Sequence, residues 1–137
     1  MDMSSINWMA VVVCVVLSMI IGTLWYNPKV FYTAWWKGIG KSESDMGMAK
    51  AGPMLWGLTI LASLVEAVAV AFMLKAMNAT GPAAGAAAGF MLWLGFIAPT
   101  NLVNKLFAGH GLRVWAIEAG NHLLNMLVFG AVLGAWR

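Results

Sequence analysis

The chain has 137 residues, 62% of them hydrophobic and 9% charged, with eight Trp and a mean hydropathy of +0.83, a balance that excludes an ordinary water-soluble domain and reads as a protein of the bilayer. The net charge of +3 comes from Lys and Arg set between apolar runs, so nucleic acid is excluded as a partner and lipid is the expected one. The single Cys14, in the middle of an apolar run, excludes an intrachain disulfide, fits no metal spacing and reads as a small packed residue.

In chain order, four runs are long enough to cross a hydrocarbon core about 30 Å thick at about 1.5 Å per residue. They cover about 6–24, 54–74, 83–98 and 115–136. The first follows a leader, MDMSSIN, without positive charge, and its apolar stretch is too long for a cleaved signal, so it counts as the first helix. Trp8 and Trp25 bracket it, and Trp115 and Trp136 bracket the fourth, as expected of indole rings at two membrane interfaces. Gly52-Pro53 and Gly81-Pro82 open the second and third helices, where a proline lacking its N–H does no harm. Pro99, with Thr100, Asn101 and Asn104, ends the third. Between the first two helices, NPKVFYTAWWKGIG mixes aromatics and Lys at helical spacing and predicts a short interfacial helix, followed by a solvated turn at Ser42 to Asp45. The expected fold is therefore all-α: one integral membrane domain over 1–137, a four-helix bundle with a short interfacial helix in the first cytoplasmic loop.

Orientation follows from the basic residues. Lys29, Lys37, Lys41 and Lys50 in the first loop and Lys105 and Arg113 in the third stand against Lys75 and Arg137 on the other side. This places the protein in the cytoplasmic membrane with both loops in the cytoplasm and both termini outside.

The fourth run carries chemistry foreign to lipid. At about 100° per residue, Glu118, Asn121, His122 and Asn125 fall on one helical face. Ionisable groups at membrane depth cost about 2.5 to 3.5 kcal/mol each on insertion scales, which drives such a stripe toward a protein interior or a water-filled cavity. The second helix offers a matching face, Thr59, Ser63 and Glu66, and rises of about 1.5 Å per residue put Glu66 and Asn125 at similar depths. The two faces are expected to form a hydrogen-bonded ladder. Its bland reading is structural glue, worth about 0.6 kcal/mol per contact. A glutamate at mid-bilayer favours function instead, because an amide or hydroxyl would join helices without desolvating a carboxylate. Glu66, Glu118 and His122 are the only intramembrane metal candidates, and they form no tight local motif.

Three classes of function remain. The first is a small transporter or channel subunit, with Glu66 as proton or cation site and His122, Glu118, Asn121 and Asn125 lining a polar cavity that takes a small molecule or ion. The second is an accessory or ligand-binding membrane protein in which the ladder fixes packing. A membrane enzyme ranks below both, since no nucleophile and base pair, phosphate loop or dinucleotide fingerprint is present, and no cofactor is indicated. Only about eighty residues are membrane-embedded, a thin wall for a pathway, which favours a homo-oligomer. Glycines repeat every four residues at Gly81, Gly85 and Gly89 and again at Gly130 and Gly134, giving flat faces for close helix approach.

The stretches IGTLWYNPKVFYTAWWKGIG, LVNKLFAG and WAIEAGNHLL together resemble the small membrane proteins grouped as domain of unknown function 1761. The resemblance runs from Ile6-Asn7-Trp8 to the closing Gly134-Ala135-Trp136, with Trp25-Tyr26, Pro28, Phe31, Trp35 and His122 as its best marks. It implies a four-helix membrane protein and no particular activity. It also implies His122 as a shared feature, with Glu118 and Asn121 departing from the pattern.

Overall fold

The computed structural model describes residues 2–42 and 52–137. The expected turn at Ser42 to Asp45 lies, beyond Ser42, outside the described residues. Among those described the chain is all helical. A 3-10 turn, Met3–Ser5, precedes α1 (Trp8–Trp25), α2 (Tyr32–Gly38), α3 (Pro53–Ala76), α4 (Pro82–Leu92), a π-helical turn (Trp93–Ile97), α5 (Ala98–Phe107) and α6 (Gly111–Ala135). Since α4, the π turn and α5 run on as one rod, Pro82–Phe107, four helices are long and apolar enough to cross a membrane.

Local chemistry accounts for the helix starts. The Asn7 side chain caps α1 by accepting from the Ala10 N–H at 3.2 Å. Pro53 and Pro82 occupy first-turn positions, where no intrahelical N–H is missed. Gly81, at φ +93°, turns the chain between α3 and α4, and its N–H donates to the Gly134 carbonyl at 2.8 Å.

The long helices alternate in direction, so both chain termini meet at one end of the bundle and the α1–α3 and α5–α6 connections lie at the other. At the terminal end, the Asn7 amide donates to the Trp136 carbonyl at 3.2 Å. The Arg137 guanidinium donates to the carbonyls of Leu74, at 3.1 Å, and Ala79, satisfying backbone acceptors at and just beyond the end of α3. Lys75 reaches the Ser5 carbonyl. The apolar core fills this same half, from Ile6, Val11 and Cys14 on α1 through Val70 and Leu74 on α3 to Phe129 and Leu133 on α6.

α6 is the central element, packed against α1, α3 and the α4–α5 rod. Its most extensive partner is α4, and the reason is glycine. A Cβ at Gly85 would collide with the Gly130 carbonyl, one at Gly130 with the Gly85 carbonyl, and one at Gly89 with the Met126 carbonyl. The two backbones therefore touch directly, the arrangement that gives helices in lipid their dispersion energy when water cannot drive them together. The opposite faces stay apolar and uncovered: Met9, Val12, Val16 and Ile20 on α1 and Leu58, Leu61 and Val65 on α3 are exposed. At most 39% of any long helix's apolar window is buried, as suits helices whose outer faces contact lipid.

The third helix differs from expectation. It does not end at Pro99 but continues to Phe107. A proline inside a regular helix clashes with the carbonyl four residues back; here the ladder widens just before it, with the Ala98 N–H donating to Trp93 five residues earlier. Two indoles fasten this turn to α6. Trp93 Nε1 donates to the Ala119 carbonyl at 2.8 Å, and Trp115 Nε1 donates to the Ala98 carbonyl at 2.9 Å. Trp25 Nε1 donates to the Ile117 carbonyl at 2.8 Å, its ring lying against Gly120, where a Cβ would stand 2.8 Å from Cζ2.

Trp25 and Trp115 thus join helices as well as marking their ends, because an indole N–H among apolar side chains must find an acceptor. Trp8 and Trp136 remain exposed. Trp115→Phe keeps most of the ring and removes the N–H, so it should lower stability by about 1 kcal/mol. A lower thermal unfolding midpoint in detergent checks this, with Trp136→Phe, whose ring donates no hydrogen bond to a described residue, as the unchanged control.

Candidate functional site: a half-closed cavity between α1, α3 and α6

Among the described residues the loop half of the molecule is not filled. The first three turns of α3 are exposed all round, residues 52–62, whereas the next three turns supply Ser63, Ala67, Val70, Ala71 and Leu74 to the interior. A cavity of about 1200 Å³ occupies the space between this part of α3 and helices α1 and α6. Tyr32, Trp35 and Trp36 of α2 and the following Gly40 to Ser42 cover it from the side. The packed core closes it toward the terminal end.

Thr59, Ser63 and Glu66 of α3 line this cavity together with Asn121, His122 and Asn125 of α6. The expected α3–α6 ladder, however, does not form. Ser63 shares a 2.6 Å hydrogen bond with Ser18 of α1, and Thr59 Oγ1 donates to its own helix at the Leu55 carbonyl, 2.8 Å away. On α6, Asn125 Nδ2 is 3.4 Å from Asn121 Oδ1, which leaves Asn121 Nδ2 and Asn125 Oδ1 buried without a partner. Glu66 and His122 likewise make no hydrogen bond or ion pair with a described side chain. Among the described residues the two polar faces look at each other across the cavity, above the exposed first turns of α3.

Glu118 is the exception. It lies outside the cavity lining, paired with Lys105 of α5 at 3.0 Å, and its other oxygen accepts from Trp35 Nε1 at 3.2 Å. The continuation of the third helix past Pro99 is what brings Lys105 alongside α6. Among the described residues no three His, Cys, Asp or Glu side chains, Glu66, Glu118 and His122 included, are grouped to hold a metal ion.

The mouth is aromatic. Tyr26 and Trp35 meet edge to face at 5.4 Å between ring centroids, Tyr32 stacks on Trp36 at 5.6 Å, and Trp56 stands on the α3 side. Lys41 Nζ lies 4.6 Å from the centre of the Trp36 ring, a cation–π contact at the rim. Burial, and secondarily the Glu118 charge, holds the Tyr26 phenol above its ordinary range, so it enters the wall neutral.

The family model described as Protein of unknown function (DUF1761) matches residues 9–134. The chain belongs to this family. No match was found among curated proteins or among solved structures. In this DUF1761 chain Tyr26, Trp35 and His122 line the cavity, while Trp25 and Phe31 pack together beside it at 4.7 Å between ring centroids.

Sequence reasoning missed Ser18, which lies on the cavity wall, and gave the aromatics of α2 a role only at the membrane surface. A signal for the first was present: Ser18, Gly22 and Tyr26 recur every four residues on an otherwise aliphatic helix and form one stripe.

Proposed function

We propose that this chain is an integral protein of the cytoplasmic membrane that binds a small solute in the cavity and moves it across the bilayer, with Glu66 as the exchangeable proton or cation site. The observation that carries the reading is the gathering of Glu66, Ser63, Asn121, His122 and Asn125 at the closed end of one cavity, with one atom of each of the two amides lacking a described partner. Unpaired polar groups at membrane depth are costly and are kept where something binds them. The packed core beyond Glu66 favours a carrier that alternates its opening over a channel with a standing path. The basic residues at the loop end favour that end as cytoplasmic.

Native mass spectrometry of the detergent-purified protein beside Glu66→Gln and His122→Ala tests binding and reads the oligomer mass in the same spectrum. The wild type should retain a small molecule that Glu66→Gln loses. That molecule, added to proteoliposomes loaded with a pH dye, should move protons in the wild type and not in Glu66→Gln. A ligand-free wild type with unchanged variants would reject the reading, and binding without flux would leave an accessory, ligand-binding role.

A further inference from the structure

Resting on the reading that the cavity binds a solute, its chemistry narrows what that solute is. Among the described residues Glu66 is the only carboxylate in the lining, since Glu118 is held outside by Lys105. An anion would face that carboxylate directly. A bare divalent cation would call for further charged ligands beside Glu66, and no three His, Cys, Asp or Glu side chains are grouped to hold a metal ion among the described residues. A neutral solute would leave the carboxylate unmatched in an apolar surround.

The unpaired amide atoms add detail. Asn121 is 7% and Asn125 8% exposed, and both residues line the cavity; Asn125 Oδ1 and Asn121 Nδ2 are buried without a described partner and reach a ligand when the amide pair turns toward the cavity. A protonated amine supplies N–H donors to both Glu66 and Asn125 Oδ1, which a quaternary ammonium cannot. The Asn121 donor then serves an oxygen beside the amine or a carboxylate oxygen of Glu66. His122, the other titratable group at this level, offers a ring nitrogen to the same head group.

The mouth fixes the rest of the ligand. Glu66 and Trp56 are ten residues apart on α3, about 15 Å along the helix. A ligand reaching both is elongated, with its charge at one end. Lys41 already holds the cationic position over Trp36, so the ring slab of Tyr26, Tyr32, Trp35 and Trp36 is left for an apolar or aromatic body. We propose that the cavity takes an amphipathic organic amine, its ammonium head between Glu66 and the Asn121–Asn125 amide pair and its apolar body along the aromatic mouth.

Three probes of one shape decide it: 4-phenylbutylamine, 4-phenylbutan-1-ol and 4-phenylbutyrate. Each is titrated into the full-length protein in lipid nanodiscs, followed by Trp fluorescence and corrected against empty discs. The amine should bind at least about tenfold more tightly than the alcohol, and the acid most weakly. Glu66→Gln should erase the preference for the amine while leaving the affinity for the alcohol. Trp56→Ala, on the exposed part of α3, should weaken amine and alcohol alike. An alcohol or acid that binds as well as the amine, absence of amine binding, or a preference that survives Glu66→Gln would overturn the proposal. A neutral or anionic solute retained by the wild type and coupled to proton movement would also overturn it while sustaining the transport reading. Amine preference without flux would do the reverse.

Discussion

Gly130→Leu is expected to leave almost no folded protein. The α carbon of Gly130 lies so close to α4 that even a methyl group would strike the Gly85 carbonyl, and the same holds in reverse from Gly85. Overpacking in ordinary cores costs about 1–3 kcal/mol because side chains can rotate aside. Here the obstacle is main chain, which cannot, so the two helices must part along their whole glycine seam and lose the contacts of Gly89 with Met126 as well. A loss of more than about 3 kcal/mol is expected, a large share of a stability of about 5–15 kcal/mol. The measurement is the monodisperse fraction on size exclusion together with the thermal midpoint in detergent. Gly57→Ala supplies the opposite sign: nothing lies within 4 Å of a Cβ there, and in an exposed helix interior alanine should gain up to about 1 kcal/mol. Equal midpoints for Gly130→Leu and wild type would refute direct backbone packing of α4 on α6.

Lys105→Met should cost about 2 kcal/mol, less than the 3–5 kcal/mol of a fully buried pair, because the Lys105 and Glu118 side chains are 21% and 14% exposed. The larger part of that loss is the Glu118 carboxylate left without a cation among apolar neighbours. Glu118→Gln should cost less, since the freed lysine can extend its ammonium toward water. The double variant should recover most of the loss, so a double-mutant cycle in thermal unfolding will show strong coupling. The effect should reach the cavity, because Glu118 also accepts from Trp35, and Trp35 holds part of α2 over the mouth. Glu66→Gln stands in contrast. Its carboxylate has no described partner, so removing the charge should leave the fold unchanged or more stable while binding is lost. Coupling near zero between Lys105 and Glu118, or a destabilised Glu66→Gln, would contradict these assignments.

The polar residues of the cavity were legible because period alone puts 118, 121, 122 and 125 on one face and 59, 63 and 66 on another. Their roles were not. Glu118 and His122 are one turn apart and look equivalent in sequence, yet one lines the cavity and the other is neutralised by a lysine on α5. That lysine was hidden by Pro99, a local stop signal that the π turn and two indole hydrogen bonds override. The glycine repeats announced close helix contact but not the partner, since a flat face serves a neighbour in the same chain or in another copy equally well.

The number of helices long and apolar enough for a bilayer, the start of most of them, and the side chains too polar for lipid are all readable from the chain, because these depend on length, period and solvation of single segments. Only packing shows that a cavity separates the polar faces of α3 and α6, that Ser18 joins Ser63, and that Glu118 is held by Lys105 while Glu66 has no described partner. The difference is physical. Period assigns a residue to a face, but whether two faces touch or stand apart is set by the helix axes, and here the axes are set by glycines and indoles far along the chain from the carboxylates they position.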